Sequence, residues 1–223
     1  MDVFLKETLP QLKAYDTKVI VNIDGDSAAE YGELAAMLDV DGVDALELNI
    51  SCPNVAQGGL AFGTSCSAAA QVVEAAKKRT HKPIITKLSP NVTDITEIAR
   101  AVEAAGTDMI SLINTLVGMK IDIQTQKPVL GNIMGGLSGP AVRPVAVRMV
   151  YQVAQAVKVP LIGMGGITCA ADAIEFFLAG ASAIAVGTAN FDNPRLAETI
   201  SQGIAAYLID HNLENIRDLV ARP

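Results

Sequence analysis

The chain has 223 residues, of which 50% are hydrophobic and 18% charged, so it can bury a large core in a single domain spanning residues 1–223. Its formal net charge of −7 argues against a nucleic-acid surface, which needs clustered Lys and Arg. The sequence shows neither a signal peptide nor an apolar run of about 18 residues that could span a membrane, so we expect a soluble, cytoplasmic protein.

The three cysteines are Cys52, Cys66 and Cys169. They are odd in number and share no CxxC spacing, so neither a disulfide framework nor a metal site is expected. Cys66 and Cys169 lie at predicted helix starts, where we expect buried, unreactive thiols.

Short apolar runs rich in β-branched residues alternate along the chain with segments of helical periodicity. In chain order, the pattern predicts a strand at 18–23, a helix at 27–38, strands at 45–50, 83–88 and 108–113 separated by helices at 67–79 and 94–105, a helix at 144–157, a strand at 160–163, a helix at 170–178, a strand at 183–186 and a helix at 196–211. A Ser-x-x-Glu capping box, Ser27 to Glu30, opens the first helix.

This alternation predicts βαβ units and a parallel sheet, either open and doubly wound or closed as a (β/α) barrel. Asparagines, Lys87 and glycine-rich turns follow all six strands, whereas an open sheet binds ligands at one switch point, so the barrel is favoured. A barrel of this kind has eight strands and about 250 residues, so two strands are missing.

Two glycine-rich turns, GMGGI at 163–167 and VGTA at 186–189, end the last two strands. Glycine allows backbone N–H groups to approach an anion, and the last two loops of such barrels frequently hold a phosphate. The alternative is that these glycines only form turns, but two such turns in neighbouring units favour a phosphate site.

Lys87 is the single positive charge in the apolar run IITKLSPN. Burying its ammonium is costly unless a negative group meets it, and an anionic cofactor ring or substrate would serve. The alternative is a side chain that reaches the surface, which is less suitable for a barrel strand.

Cys52 lies in ELNISCPN, among hydrogen-bonding side chains and before a proline that ends the strand. Its thiolate could act as nucleophile or as general base. His81 and His211 fall at helix ends, where surface positions are expected, so a Cys–His hydrolase is disfavoured.

Six motifs, taken together with GGLAFG, then resemble the class 1 dihydroorotate dehydrogenases: ELNISCPN, ITKLSPNVTDI, INTLVGMKID, GGLSGPA, PLIGMGGI and AIAVGTANF. The resemblance extends from about residue 4 to the carboxyl terminus. NTLVGMKID and the Gly58-Gly59 pair resemble the class 1B catalytic subunit, with its amino-terminal part missing.

The resemblance implies a (β/α)8 TIM-type barrel that binds FMN and oxidises (S)-dihydroorotate to orotate in UMP synthesis. It implies Cys52 as the general base. Electrons would pass to NAD through a partner subunit carrying FAD and a [2Fe–2S] cluster, and the catalytic subunit would form a homodimer within a heterotetramer.

The resemblance also assigns binding roles, residue by residue. The FMN phosphate would lie against Gly139, Gly165, Gly166, Gly187 and Thr188, and the flavin ring against Asn22, Asn49, Lys87 and Ile113. Substrate would be held by Asn49, Asn54, Asn114 and Thr115.

The family normally begins with a longer segment that supplies the first two barrel strands. We therefore expect weak or no activity from this chain alone. Two alternatives stay open: a truncated remnant that only associates with a partner, and a related flavin barrel that oxidises dihydropyrimidines.

Overall fold

The computed structural model describes residues 1–51 and 62–220. The strands are β1 Ile20–Ile23, β2 Ala45–Asn49, β3 Ile84–Lys87, β4 Met109–Leu112, β5 Leu116–Met119, β6 Ile121–Asp122, β7 Lys127–Pro128, β8 Met134–Leu137, β9 Leu161–Met164 and β10 Ala183–Ala185. The helices are α1 Leu9–Leu12, α2 Ala28–Met37, α3 Cys66–Lys77, α4 Ile95–Ala104, α5 Arg143–Ala154, α6 Ala170–Leu178, α7 Ala189–Asp192 and α8 Leu196–Asp210. A π-helical segment, Phe4–Thr8, precedes α1, and 3₁₀ turns lie at Pro140–Val142 and Ile216–Asp218.

The predicted strands form one six-stranded sheet in the order β1-β2-β3-β4-β9-β10, and every pair is parallel. Helices lie between successive strands, which confirms the predicted α/β class and βαβ alternation. Within the described residues, β1 and β10 each pair with a single neighbour, so the sheet is an open arc of the barrel type.

The predicted helices are also confirmed, and their ends differ from the prediction by at most three residues, at the end of α5. The Ser27 hydroxyl caps α2 by accepting a hydrogen bond from the Glu30 N–H (3.2 Å). The other half of the predicted capping box is wrong by one residue, because Glu30 accepts from the backbone N–H of Asp26 (2.8 Å) rather than from that of Ser27.

The core lies between the sheet and its covering helices. In β2, Leu46 and Leu48 are fully buried on the helix side, and Glu47 and Asn49 point to the opposite face because successive strand residues alternate. In α4 the buried residues recur with helical spacing at Ile95, Ile98, Ala99 and Val102. The inner face of β2 therefore carries its polar side chains.

Two small antiparallel hairpins, unpredicted from the sequence, interrupt the alternation between β4 and α5. β5 pairs with β8, and β6 pairs with β7. Large apolar side chains are exposed there, among them Met119, Ile123 and Ile133. Across the part of the chain that the structure describes, no helix is long and apolar enough to cross a membrane.

Candidate active site

The inner face of the sheet and the loops at its carboxyl edge enclose a cleft of about 640 Å³. Ile20, Glu47, Lys87, Ile162 and Ala183 form part of its floor. Because Ile20 belongs to β1 and Ala183 to β10, both free edges of the sheet border this cleft.

The glycine-rich loops form one end of the cleft. Gly139, Gly165 and Gly166 adopt φ values of 89°, 128° and 74°, a region that side chains strongly disfavour. A Cβ on Gly166 would lie 2.6 Å from the carbonyl oxygen of Gly139, so the two loops can touch only if this residue is glycine. We call these residues, with Gly187 and Thr188, the phosphate end, after the phosphate site that the sequence predicts there; all five line the cleft.

A buried ion pair ties these loops together. Asp172 of α6, 5% exposed, accepts hydrogen bonds from the backbone N–H (2.8 Å) and hydroxyl (2.7 Å) of Thr168 and from the guanidinium of Arg143. Burial opposes ionisation of Asp172, but the hydrogen bonds from Thr168 and the charge of Arg143 outweigh it and hold the pKa of this carboxyl below its ordinary value of 3.8. Since Arg143 begins α5 just after the Gly139 loop, this clamp joins the two loops.

Lys87 also lines the cleft, on β3, two strands along the sheet from β9, and its side chain is 22% exposed. Its ammonium is 3.9 Å from a carboxylate oxygen of Glu47, whose side chain is 15% exposed. The same oxygen accepts a hydrogen bond from the Asn22 amide (2.6 Å), and the other oxygen accepts one from the Ser111 hydroxyl (2.6 Å). Lys87 therefore has a negative partner within the protein, which the sequence interpretation did not name.

An amide cluster lies beside Lys87. Asn49 Oδ1 accepts hydrogen bonds from Asn114 Nδ2 (3.2 Å) and the Ser51 hydroxyl (3.1 Å), and Asn114 Nδ2 also donates to Ser51 Oγ (2.6 Å). Tyr31 donates to the Asn49 carbonyl (2.8 Å). The ends of strands β2 and β4 are thus joined through side chains that follow them. We call this cluster, together with Asn22, Glu47 and Lys87, the ring end, because it contains residues predicted to contact the flavin ring.

Thr115, next to the amide cluster, is supported from the β3–α4 loop. Asn91 Nδ2 donates to the Thr115 carbonyl (3.0 Å), and Asn91 Oδ1 accepts from the Val117 N–H (2.9 Å). Ile113 is buried and lines the cleft between the two ends.

The structure brings most of the predicted residues together. Those that line the cleft are Lys87, Ile113, Asn114, Thr115, Gly139, Gly165, Gly166, Gly187 and Thr188. Asn22 and Asn49 are hydrogen-bonded to cleft-lining residues. Cys52 and Asn54 lie outside the described residues.

The other singled-out side chains lie away from the cleft. Cys66 is half-buried, but Cys169 is exposed, so the expectation of burial is wrong there: it is the N-cap residue of α6 and faces solvent. His81 is exposed and contacts Asp39 at 2.9 Å, and His211 stacks on Tyr207 at 3.8 Å, which confirms their surface positions at helix ends. Among the described residues, no group of three His, Cys, Asp or Glu could hold a metal ion.

Sequence reasoning missed Glu47, Ser111, Asn91 and the Arg143–Asp172 clamp. Glu47 had a usable signal, because a carboxylate inside a buried strand demands partners. The other residues carry no such signal, since their importance lies in contacts made across loops and strands.

Comparison with known proteins identifies the family. A model of the dihydroorotate dehydrogenase family matches residues 1–208. A dihydroorotate dehydrogenase B (NAD(+)) catalytic subunit from Desulforamulus reducens is 58% identical over 221 residues, covering 99% of this chain and 73% of that protein. Proteins of the same description from Citrifermentans bemidjiense and Alkaliphilus oremlandii are 55% and 53% identical and are covered over 72% and 74% of their lengths.

The fold agrees with this relationship. A dihydroorotate dehydrogenase from Eimeria tenella, solved in complex with ferulenol, superimposes with a TM-score of 0.73 at 22% identity. The match covers 88% of this chain and 58% of that one, so the chain spans rather more than half of that structure's length. On the strength of the family match and of its relatives' identity, the chain belongs to the dihydroorotate dehydrogenase family of oxidoreductases.

Proposed function

We propose that this chain oxidises (S)-dihydroorotate to orotate in de novo pyrimidine (UMP) synthesis, as the FMN-binding catalytic subunit of an NAD-linked dihydroorotate dehydrogenase. The observation that carries the proposal is the convergence of the phosphate end and the ring end in one cleft. Family membership and the names of the relatives support it.

The residues of the cleft fit FMN. Its volume of about 640 Å³ suits a molecule of that size. At the phosphate end, the absence of a Cβ on Gly166 lets the two loops approach closely. Gly139, Gly165 and Gly166 line the cleft and, as glycines, present only backbone groups to it. Gly187 and Thr188 complete the proposed phosphate site, and Asn22, Asn49, Lys87 and Ile113 are the proposed contacts of the ring.

Dihydroorotate oxidation removes a proton from C5 and a hydride from C6, so that a C5–C6 double bond forms. Bound FMN supplies the hydride acceptor. Cys52 is the proposed base, and its thiolate takes the C5 proton. Ser51, which immediately precedes it, is fully buried and hydrogen-bonded to Asn114, so the residue before Cys52 is anchored.

Asn49, Asn54, Asn114 and Thr115 are the proposed substrate contacts. An asparagine side chain presents both a donor and an acceptor, which suits the carboxylate and ring amide groups of dihydroorotate. The Lys87 ammonium, at the ring end, would stabilise negative charge on a flavin bound beside it.

The relatives are named as catalytic subunits, which implies a further subunit. We propose that electrons pass to NAD through an iron–sulfur flavoprotein subunit that carries FAD and a [2Fe–2S] cluster. The proposed assembly is a homodimer of this chain within a heterotetramer, located in the cytoplasm.

The free edges of the open sheet should lower the catalytic activity of the chain on its own. β1 and β10 are each paired on one side only within the described residues, and Ile20 of β1, a large apolar residue, is 51% exposed. We therefore propose that the 223-residue chain alone is weakly active or inactive. The same free edges favour the second candidate, a remnant that only associates with a partner or another copy.

The decisive measurement is the visible absorption spectrum of the purified chain after FMN is added and excess is removed. Retained flavin supports the proposal, and dihydroorotate should then bleach it slowly, in a single turnover, in the unsubstituted chain and in Cys66→Ser, and more slowly still in Cys52→Ser. Association without flavin would favour the remnant. Bleaching by dihydropyrimidines without affinity for orotate would favour the related flavin barrel, and robust turnover by the chain alone would refute the proposed inactivity.

A further inference from the structure

Glu47 is the best-anchored charged side chain of the cleft. Among the described residues, two carboxylates line the cleft, those of Glu47 and Asp192, and Asp192 is exposed on α7. Burial of the Glu47 carboxylate would be costly without compensation. Its two oxygens instead receive hydrogen bonds from Ser111 and Asn22, and Ser111 is itself fully buried.

Strand register explains why these groups meet. Glu47 pairs with Asn22 across β1 and β2, and Lys87 pairs with Ser111 across β3 and β4. Because side chains on one face of a sheet alternate with those on the other, Glu47 and Lys87 share the inner face of the sheet. The carboxylate therefore occupies a fixed point among strands β1 to β4.

The contact with Lys87 differs from the other two. At 3.9 Å the ammonium is attracted by charge but is beyond hydrogen-bonding distance of the carboxylate. Within residues 1–51 and 62–220, no hydrogen bond from Lys87 is seen, so its N–H donors remain available to a ligand in the cleft. Asn22, in contrast, uses its amide N–H on Glu47, which turns its carbonyl oxygen away from the carboxylate.

We propose that Glu47 is a positioning residue, which holds the Lys87 ammonium and orients the Asn22 amide for contact with the flavin ring. The inference rests on the proposed FMN site, and it goes beyond that site because Glu47 itself need not touch the flavin. Removing its charge leaves the positive charge of Lys87 uncompensated, which favours any state of the bound ring that carries negative charge.

Three variants of the full chain test this role. Glu47→Gln removes the charge and keeps the size, Glu47→Asp restores the charge, and Glu74→Gln is the matched control because Glu74 forms a surface pair with Lys78 at 3.7 Å. The first readout is flavin-free: acetylation of Lys87 by acetic anhydride, followed by peptide mass spectrometry with Lys120 as internal reference. We expect Lys87 acetylation to rise several-fold in Glu47→Gln, because the amine is no longer held by the carboxylate. In Glu47→Asp it should return to the level of the unsubstituted chain.

The second readout is the affinity of FMN-loaded protein for sulfite, which adds to the flavin ring and gives it negative charge. Glu47→Gln should bind sulfite about tenfold more tightly, or ~1.4 kcal/mol, while Glu47→Asp and Glu74→Gln should stay near the unsubstituted value. Unchanged Lys87 acetylation, or an unchanged sulfite affinity with FMN bound, would overturn the proposal and leave Glu47 a purely structural ion-pair partner. If the unsubstituted chain binds no FMN, the proposed function of the isolated chain fails, whereas the acetylation result still decides whether Glu47 holds Lys87.

Discussion

The two ends of the cleft are formed by different parts of the chain, backbone at one end and side chains at the other. Backbone forms the phosphate end, where glycines let the loops touch and the Arg143–Asp172 pair clamps them. Side chains form the ring end, where Glu47, Lys87 and the amide cluster face one another. We therefore expect the phosphate end to lose stability when a glycine gains a side chain or when the Arg143–Asp172 pair is broken. We expect the ring end to lose function when a charged side chain is neutralised.

The largest effect is expected from Asp172→Ala. Removing this carboxylate leaves the half-buried Arg143 with only the more exposed Glu175, at 3.4 Å, as an ion-pair partner and leaves the Thr168 N–H without its acceptor, so the unfolding free energy should fall by about 3–4 kcal/mol. Urea denaturation measures the loss. The matched control is Glu198→Ala, which breaks a surface pair with Arg195 and should cost less than about 1 kcal/mol. Equal losses in the two variants would show that the Arg143–Asp172 clamp stabilises the fold no more than a surface ion pair does.

Gly166→Ala should be the next most damaging change. Its Cβ would meet the Gly139 carbonyl at 2.6 Å in a conformation with φ of 74°, so the loops must separate. We expect a cost of roughly 2–3 kcal/mol and a loss of FMN binding, read by thermal denaturation and flavin fluorescence. Gly131→Ala is the control, since no atom lies within 4 Å of its added Cβ. Full FMN binding by Gly166→Ala would contradict a backbone-built phosphate end.

Protonation of Asp172 at acid pH should weaken the Arg143–Asp172 clamp. Because the pKa of Asp172 is lowered in the folded state, its stabilisation is present above the unfolded value and is lost as pH falls below about 3.8 through the folded pKa. Over that range the unfolding free energy of Asp172→Asn should fall less steeply than that of the unsubstituted chain. The two slopes should differ by at most ~1.4 kcal/mol per pH unit. Denaturation curves between neutral and acid pH measure the slopes. Other carboxyls with lowered pKa, such as Asp39 and Asp94, titrate in both proteins, so parallel slopes would count against the assignment to Asp172.

Lys87→Met should produce the smallest change in binding and a selective change in chemistry. We expect FMN affinity to fall less than about tenfold, or ~1.4 kcal/mol, because the phosphate end is untouched. Flavin reduction by dihydroorotate should slow much more, since the developing negative charge loses its cation. Rapid mixing with FMN-loaded protein separates the two quantities, and Lys78→Met, at the exposed C-cap of α3, is the control. Equal losses of affinity and rate would erase the distinction between the two ends.

The sequence predicted much of the fold because the decisive signals are local. Apolar runs such as 83–88 and the helical spacing of Ile95, Ile98 and Val102 each lie within a few residues. The hairpins between β4 and α5 escaped prediction because their apolar side chains, Ile123 and Ile133 among them, are exposed and follow no buried face. Family resemblance supplied the identities of the site residues, and Cys52 and Asn54 stay predictions.

The sequence by itself determined the α/β alternation, the glycines of the phosphate end and the presence of a lysine at a strand end, because each depends on conformational preferences of adjacent residues. Only the tertiary structure decided that Glu47 faces Lys87, Asn22 and Ser111, and that Asp172 joins Thr168 to Arg143. These groups lie on separate strands and loops. They meet because sheet register and loop packing, rather than spacing along the chain, set the distances between them.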